Sequence, residues 1–174
     1  GYGVLVKRIT EAFSQYVFVG GPILLLILFV GGHNIYHWMD LYNITDINDP
    51  HYDKIIAGKS AYLNTPFFLG RAVVCIAVWS WCVHLMRKYS LQQDLNGGEI
   101  FHKKSITVSV GFVVFYAVTI FITSWDWLMS IDAHWYSTLY GWYILVGEGV
   151  ICMAAIIIMV LYLKRKGLME NVNE

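Results

Sequence analysis

Apolar and polar positions fall in long blocks along this chain, not in the short alternations of a soluble domain. From Ala12 to Met39 no side chain is charged. About 20 apolar residues cross a bilayer, so the run predicts a first helix over Tyr16 to Ile35. A second block predicts a helix from Pro66 to Met86 that contains Arg71. Proline suits the first helical turn, where no amide hydrogen is needed. A third block, Ser105 to Trp125, carries no charge, and a fourth, Ser137 to Leu163, contains Glu148. Ahead of the first block, Val4, Leu5, Ile9 and Phe13 form an apolar stripe beside Lys7, Arg8 and Glu11. That is the pattern of a short interfacial helix within residues 1–15. The expected fold class is all-α: an integral-membrane, up-and-down four-helix bundle over residues 16–163, with a cytoplasmic tail at 164–174. No internal repeat interrupts this reading.

Composition supports the membrane assignment. The chain is 57% hydrophobic and 14% charged, against roughly 25% charged residues in soluble domains. Its formal net charge is +0, so nothing points to a nucleic-acid partner. Cys75, Cys82 and Cys152 all lie inside apolar blocks and form no Cys-x-x-Cys pair. A c-type haem, an iron–sulfur cluster or a structural zinc within this chain therefore has no motif behind it, and the cysteines read as small apolar packing residues. The first apolar block is too long for a secretory signal and carries Pro22 near its start. The chain opens on Gly1 with no hydrophilic domain flanking the blocks, as expected of a fragment of a longer protein.

Loop charges orient the four spans. One side holds nine basic residues: Lys7, Arg8, Arg87, Lys88, Lys103, Lys104, Lys164, Arg165 and Lys166. The other holds two, Lys54 and Lys59, among Asp40, Asp46, Asp49, Asp53, Asp126 and Asp132. Cytoplasmic loops carry the Lys/Arg excess. Both ends and the Arg87–Lys104 loop are thus expected to be cytoplasmic. The long Asp40–Thr65 loop should lie outside, with His51, Tyr52 and Asp53 across the bundle mouth. Asn43-Ile44-Thr45 fits the N-glycosylation pattern, which is short enough to recur by chance.

Two ionisable groups fall within spans. Arg71 is expected about 7 Å, and Glu148 about 10 Å, below the outer ends of their helices. An unpaired charge at bilayer depth costs at least roughly 2.5–3.5 kcal/mol. Glu148 is therefore expected to be buried and paired, with Arg71 the favoured partner and Asp126 or a hydroxyl of the third helix the alternatives. Such a pair is either a proton-relay or quinone-contact element or a salt bridge that sets helix register. On the third helix, Ser105, Ser109, Tyr116, Thr119, Thr123 and Asp126 lie near one face. They form either a hydrogen-bonded wire or ordinary interhelical packing, and the gap at Phe112 and Val113 favours packing. His33 and His37 share one face of the first helix, with only His84 and His102 towards the other side. Axial ligation of a haem needs histidines that face each other, so interfacial hydrogen bonding is the expected role, with a quinone-facing or proton-accepting imidazole as the alternative. Gly141, Gly147, Gly149, Ala154 and Ala155 give the fourth helix small sides for close helix approach. Trp79 and Trp81 are either interface anchors or the lining of an apolar quinone slot.

The densest chemistry lies between the third and fourth blocks. Ser124-Trp125-Asp126-Trp127-Leu128-Met129-Ser130 is followed by His134-Trp135-Tyr136-Ser137-Thr138-Leu139-Tyr140-Gly141-Trp142-Tyr143. Trp and Tyr concentrate at membrane–water interfaces, which makes this segment a surface connection. The same residues closely resemble the F subunit, or quinone-binding subunit 2, of bacterial alternative complex III. That complex is a quinol:cytochrome c or quinol:oxidase oxidoreductase. Asn64-Thr65-Pro66-Phe67-Phe68 and Arg71 are similar to that family too.

The family subunit has more spans than this chain, stacked as in the membrane subunit of polysulfide reductase. The resemblance therefore implies that the chain covers one bundle of a larger protein. It implies partners: a sister membrane subunit, outer subunits carrying haem c and iron–sulfur clusters, lipids and a terminal oxidase. It also implies that electrons bypass this chain, which binds no cofactor of its own, with menaquinone or ubiquinone as the quinone in contact. The expected function is a non-redox membrane subunit that scaffolds the complex and conducts protons or contacts quinone. The expected residues are Glu148, Arg71, Asp126 and His134, with Tyr116, Thr119 and Thr123 as relay groups. The competing readings are half of a proton-coupled transporter and a purely structural membrane anchor.

Overall fold

A computed structural model of the chain describes residues 2–44, 46–97 and 99–167, with side chains from Lys7 onward. Among the described residues all regular structure is helical. The helices are α1 (Tyr2–Ser14), α2 (Val17–Ile35), α3 (Trp38–Leu41), α4 (Lys54–Lys59), α5 (Thr65–Asn96), α6 (Glu99–Thr123) and α7 (Tyr140–Arg165). A π-helical turn, Ser124–Leu128, and a 3₁₀ turn, Met129–Ile131, prolong α6. Four stretches are long and apolar enough to cross a membrane: Lys7–Ile35, Thr65–Asn96, Glu99–Ile131 and Tyr140–Arg165. Even the shortest, at 26 residues, runs about 39 Å and exceeds the ~30 Å hydrocarbon core. This is the pattern of a multi-pass membrane protein.

α5 and α6 are longer than their hydropathy blocks, α2 matches its block closely, and α7 begins at Tyr140 and not at Ser137. α5 does not stop at Met86. Lys88, Leu91, Gln92, Gln93 and Leu95 are good helix formers, and the helix ends only where Gly97 takes φ 65°, a positive-φ backbone that glycine adopts without strain. The expected Arg87–Lys104 loop is thus mostly helix, since α6 starts at Glu99. α6 likewise passes Trp125, so the Trp-Asp-Trp segment is helical and not a loop. Lys164 and Arg165 belong to α7 and not to a tail. The side chains of Val4 and Leu5, Thr45 of the glycosylation pattern and tail residues 168–174 lie outside the described residues.

Short hydrogen-bonding side chains start α4 and α5. The Asp53 carboxylate accepts the amides of Ile55 and Ile56 at 2.8 and 3.2 Å and begins α4. Asn64 accepts the Phe67 amide at 3.0 Å and begins α5, with Pro66 in its first turn. Each satisfies amides that the helix itself leaves unpaired.

α5 packs on both α2 and α6, while α7 packs on α6, the π turn and α1. Glycines permit the closest approaches. A Cβ on Gly21 of α2 would lie 2.7 Å from Ile76 of α5. One on Gly141 of α7 would collide with the Phe121 ring of α6. The main buried cluster lies where the 36–44 and 46–63 stretches meet the start of α5: Leu28, Tyr36, Trp38, Met39, Ile56 and Phe68, with Trp38 and Phe68 fully buried. Those two stretches lie outside the four candidate spans, where burial of apolar side chains is favoured by the hydrophobic effect. Within the spans lipid is as apolar as leucine, and many large apolar side chains stay on the outside of the chain.

Candidate functional site: two acid pairs

The π turn puts Asp126 on the inner side of the helix surface. Its carboxylate takes two hydrogen bonds from Arg71, Nε to Oδ2 at 2.6 Å and Nη2 to Oδ1 at 3.0 Å. Arg71 also donates Nη1 to the Tyr62 carbonyl at 3.2 Å. Its guanidinium carbon lies 4.0 Å from the Tyr62 ring centroid and 4.2 Å from that of Phe67. The side chains are 12% and 2% exposed. A paired, fork-on-fork geometry of this kind is among the strongest ion pairs a protein builds, and the rings seal it from water.

The widened turn also frees backbone carbonyls. Tyr36 donates its hydroxyl to the Trp127 carbonyl at 2.9 Å, and Ser130 donates to the Asp126 carbonyl. The pair is thereby tied to the main buried cluster. Burial first, then the Asp126 charge, push the Tyr62 and Tyr36 phenols up to about 12. Both stay neutral donors at physiological pH.

The expected Arg71–Glu148 pairing does not occur. Arg71, six residues into α5, turns to Asp126 because the helical continuation of α6 brings that carboxylate against α5. Glu148 instead accepts a hydrogen bond from the Tyr116 hydroxyl of α6, the third-helix hydroxyl expected as its alternative partner. Nor is Glu148 buried within the chain: it is exposed on α7, about 12 Å from the start of that helix. Tyr116 is its one polar contact among the described residues, and no cation neutralises it there.

The relay hydroxyls of α6 turn mostly to their own helix. Thr119 donates to the Phe115 carbonyl and receives the Trp79 indole N–H at 3.1 Å. Thr123 donates to the Thr119 carbonyl, and Ser109 to that of Ser105. These are the helical back-bonds that serve packing, and no hydroxyl-to-hydroxyl chain joins them among the described residues.

His134 enters neither acid pair. Its Nε2 lies 2.6 Å from Asp53 Oδ2, linking the α6–α7 connection to the start of α4. Beside it, Lys59 donates to the Ala133 carbonyl at 2.6 Å. The Ile56 amide, and behind it His134, hold the Asp53 carboxyl below the usual range, against the opposing pull of desolvation. His33 bonds Asp40 at 2.7 Å, an interfacial contact. Lys59 and Tyr36 carried no sequence signal as site residues, because both act through backbone carbonyls that only the π turn and its sequel expose. Asp53 was expected only across the bundle mouth; its role in starting α4 and its bond to His134 carried no sequence signal. No group of three or more His, Cys, Asp or Glu side chains able to hold a metal occurs among the described residues. No protein-family profile and no curated protein matches the chain.

Proposed function

We propose that this chain is a non-redox, integral-membrane part of a quinol-oxidising respiratory complex of the alternative complex III kind. In this reading it forms an up-and-down four-helix unit of a larger subunit, basic end in the cytoplasm, in which the Tyr116–Glu148 pair handles protons. One observation carries the proton role. Arg71 is engaged by Asp126, so a structural salt bridge accounts for those two residues and leaves Glu148 unexplained. A carboxyl group at bilayer depth with a phenol as its partner can take and release a proton where a paired one cannot. The link to the respiratory complex rests on the resemblance of the 124–143 segment. In the structure that segment supplies Asp126, Ser130, the carbonyls of Trp127 and Ala133, and His134, which together hold the outer cap. A sister membrane subunit and outer subunits carrying haem c and iron–sulfur clusters would dock above that cap.

A structural-anchor reading has one observation in its favour: the α6 hydroxyls bond to their own helix and make no wire. The two separate in the intact complex reconstituted into vesicles, with quinol oxidation and proton uptake measured together. Glu148→Gln keeps size and hydrogen bonding but cannot titrate. The proton reading expects unchanged quinol oxidation with reduced proton uptake, and a smaller loss for Tyr116→Phe. Unchanged proton stoichiometry in Glu148→Gln would leave the anchor. Failure to co-purify with haem-containing subunits would instead favour a proton-coupled transporter.

A further inference from the structure

A cavity of about 860 Å³ lies among all four spans. Along the first span it reaches from Thr10 to Ile27, about 25 Å at helical rise. Its walls include Gly20 and Gly21 of α2, Ile76 and Trp79 of α5, and Cys152 and Ala155 of α7. The space exists because α7 meets α6 tightly at its outer end, through Gly141 on Phe121, and packs on α1. Between those contacts both facing walls carry small residues. Helix interiors otherwise fill to crystal-like density. This volume is within the ~300–1,000 Å³ range of ligand pockets.

Water does not suit the space. A buried water needs two to four polar partners, and among the described buried polar side-chain atoms of the wall only Trp127 Nε1 is left without a partner, too few to hold one. Thr10 and Ser14 donate to the carbonyls of Lys7 and Glu11, Trp79 donates to Thr119, and Tyr116 to Glu148. The remaining wall is mostly hydrocarbon and lies at bilayer depth, where the solvent is acyl chain.

The inner end of the cavity is basic. Thr10 is one helical turn from Lys7, whose ammonium is 3.8 Å from Glu11 and partly exposed. Met86 in the wall precedes Arg87 and Lys88, both exposed. Nine Lys and Arg residues at this end face only Glu11, Asp94 and Glu99 among the described residues. We propose that the cavity is a binding site for an anionic phospholipid, with one acyl chain between α2 and α7 and the phosphate against Lys7 and Arg87. The site shares the Tyr116 wall with the proposed proton pair, while Glu148 itself is not among its lining residues.

The test is mass spectrometry of the chain purified from native membranes in mild detergent, with Ala155→Phe to fill the cavity and Ile157→Phe, on the exposed side of α7, as control. The expected result is one anionic phospholipid retained per chain, lost in Ala155→Phe and kept in Ile157→Phe. Lys7→Gln/Arg87→Gln should lose the preference for an anionic over a zwitterionic headgroup. Retention unchanged by Ala155→Phe, a retained isoprenoid without phosphate, or no retained lipid overturns the proposal. If Ala155→Phe does not fold, the wild-type chain decides in vesicles with mid-chain brominated lipids. Tryptophan fluorescence that falls further in wild type than in Trp79→Phe, with brominated phosphatidylglycerol above phosphatidylcholine, supports the site. Equal quenching in all of these overturns it.

Discussion

Removing either member of the Arg71–Asp126 pair should unfold the end of the protein that the pair locks, and Arg71→Ala should do so more than Asp126→Ala. Asp126→Ala leaves the Arg71 guanidinium, 12% exposed, without its counter-ion. Breaking a buried ion pair from one side costs about 3–5 kcal/mol. Part of the Arg71 environment survives: the Tyr62 carbonyl at 3.2 Å and two aromatic faces near 4 Å. Ring contacts of this kind are worth about 0.5–2 kcal/mol, so Asp126→Ala belongs at the lower end, about 3 kcal/mol. Arg71→Ala loses the pair and the ring contacts together, and strands a carboxylate that is 2% exposed. It belongs at the upper end, about 5 kcal/mol. For a chain of this length each kcal/mol moves the melting midpoint by about 2–4 °C. The expected falls are about 6–12 °C for Asp126→Ala and about 10–20 °C for Arg71→Ala. The assay is thermal unfolding in one detergent, followed by circular dichroism, with the double variant completing a cycle. Arg71→Leu/Asp126→Leu should be more stable than either alanine variant, since it leaves no unpaired charge. A fall under about 2 °C for Asp126→Ala, or single effects that add within about 0.5 kcal/mol, would refute the lock.

Gly141→Val drives a Cβ into the Phe121 ring and should cost about 1–3 kcal/mol. Gly147→Val, where an added Cβ meets nothing within 4 Å, should stay within about 0.5 kcal/mol, and equal melting points would contradict the close α6–α7 approach. The Asp53 carboxyl is held low by the Ile56 amide and His134. Because its folded value lies below the ordinary one, its contribution is present above about pH 3.9 and is lost only as pH falls through the lower folded value. Hydrogen exchange of the Ile55 and Ile56 amides, corrected for intrinsic rate, should stay slow to below that pH in wild type and Asp53→Asn, and be fast throughout in Asp53→Ala. Tyr62 and Tyr36, pushed up to about 12, should remain neutral where exposed tyrosines ionise. An ultraviolet titration in which Tyr62→Phe removes absorbance change near pH 10 would contradict the burial that raises it.

Uncharged runs at Ala12–Met39 and Ser105–Trp125 suffice to place membrane helices, because a bilayer tests only length and apolarity. The same residues said little about where those helices stop. Lys88 to Asn96 are polar yet helical, and the Trp-Asp-Trp segment is interfacial yet helical. Helix continuation is decided by propensity and by stops such as Gly97, which hydropathy does not register. Asp126, Arg71, Tyr116 and Glu148 stood out in the sequence as charged or hydroxyl groups at membrane depth, and the structure gives all four a partner. Which pairs with which was not legible. Depth along an axis can be counted in residues, but azimuth depends on the path of the helix. The extra residue per turn at Ser124–Leu128 swings Asp126 towards α5, draws Arg71 away from Glu148 and leaves that carboxylate to Tyr116. The bonds from Lys59 and Tyr36 to backbone carbonyls were hidden for a related reason. A carbonyl exists at every position, and only the fold determines which ones are released from their helix to accept a distant donor.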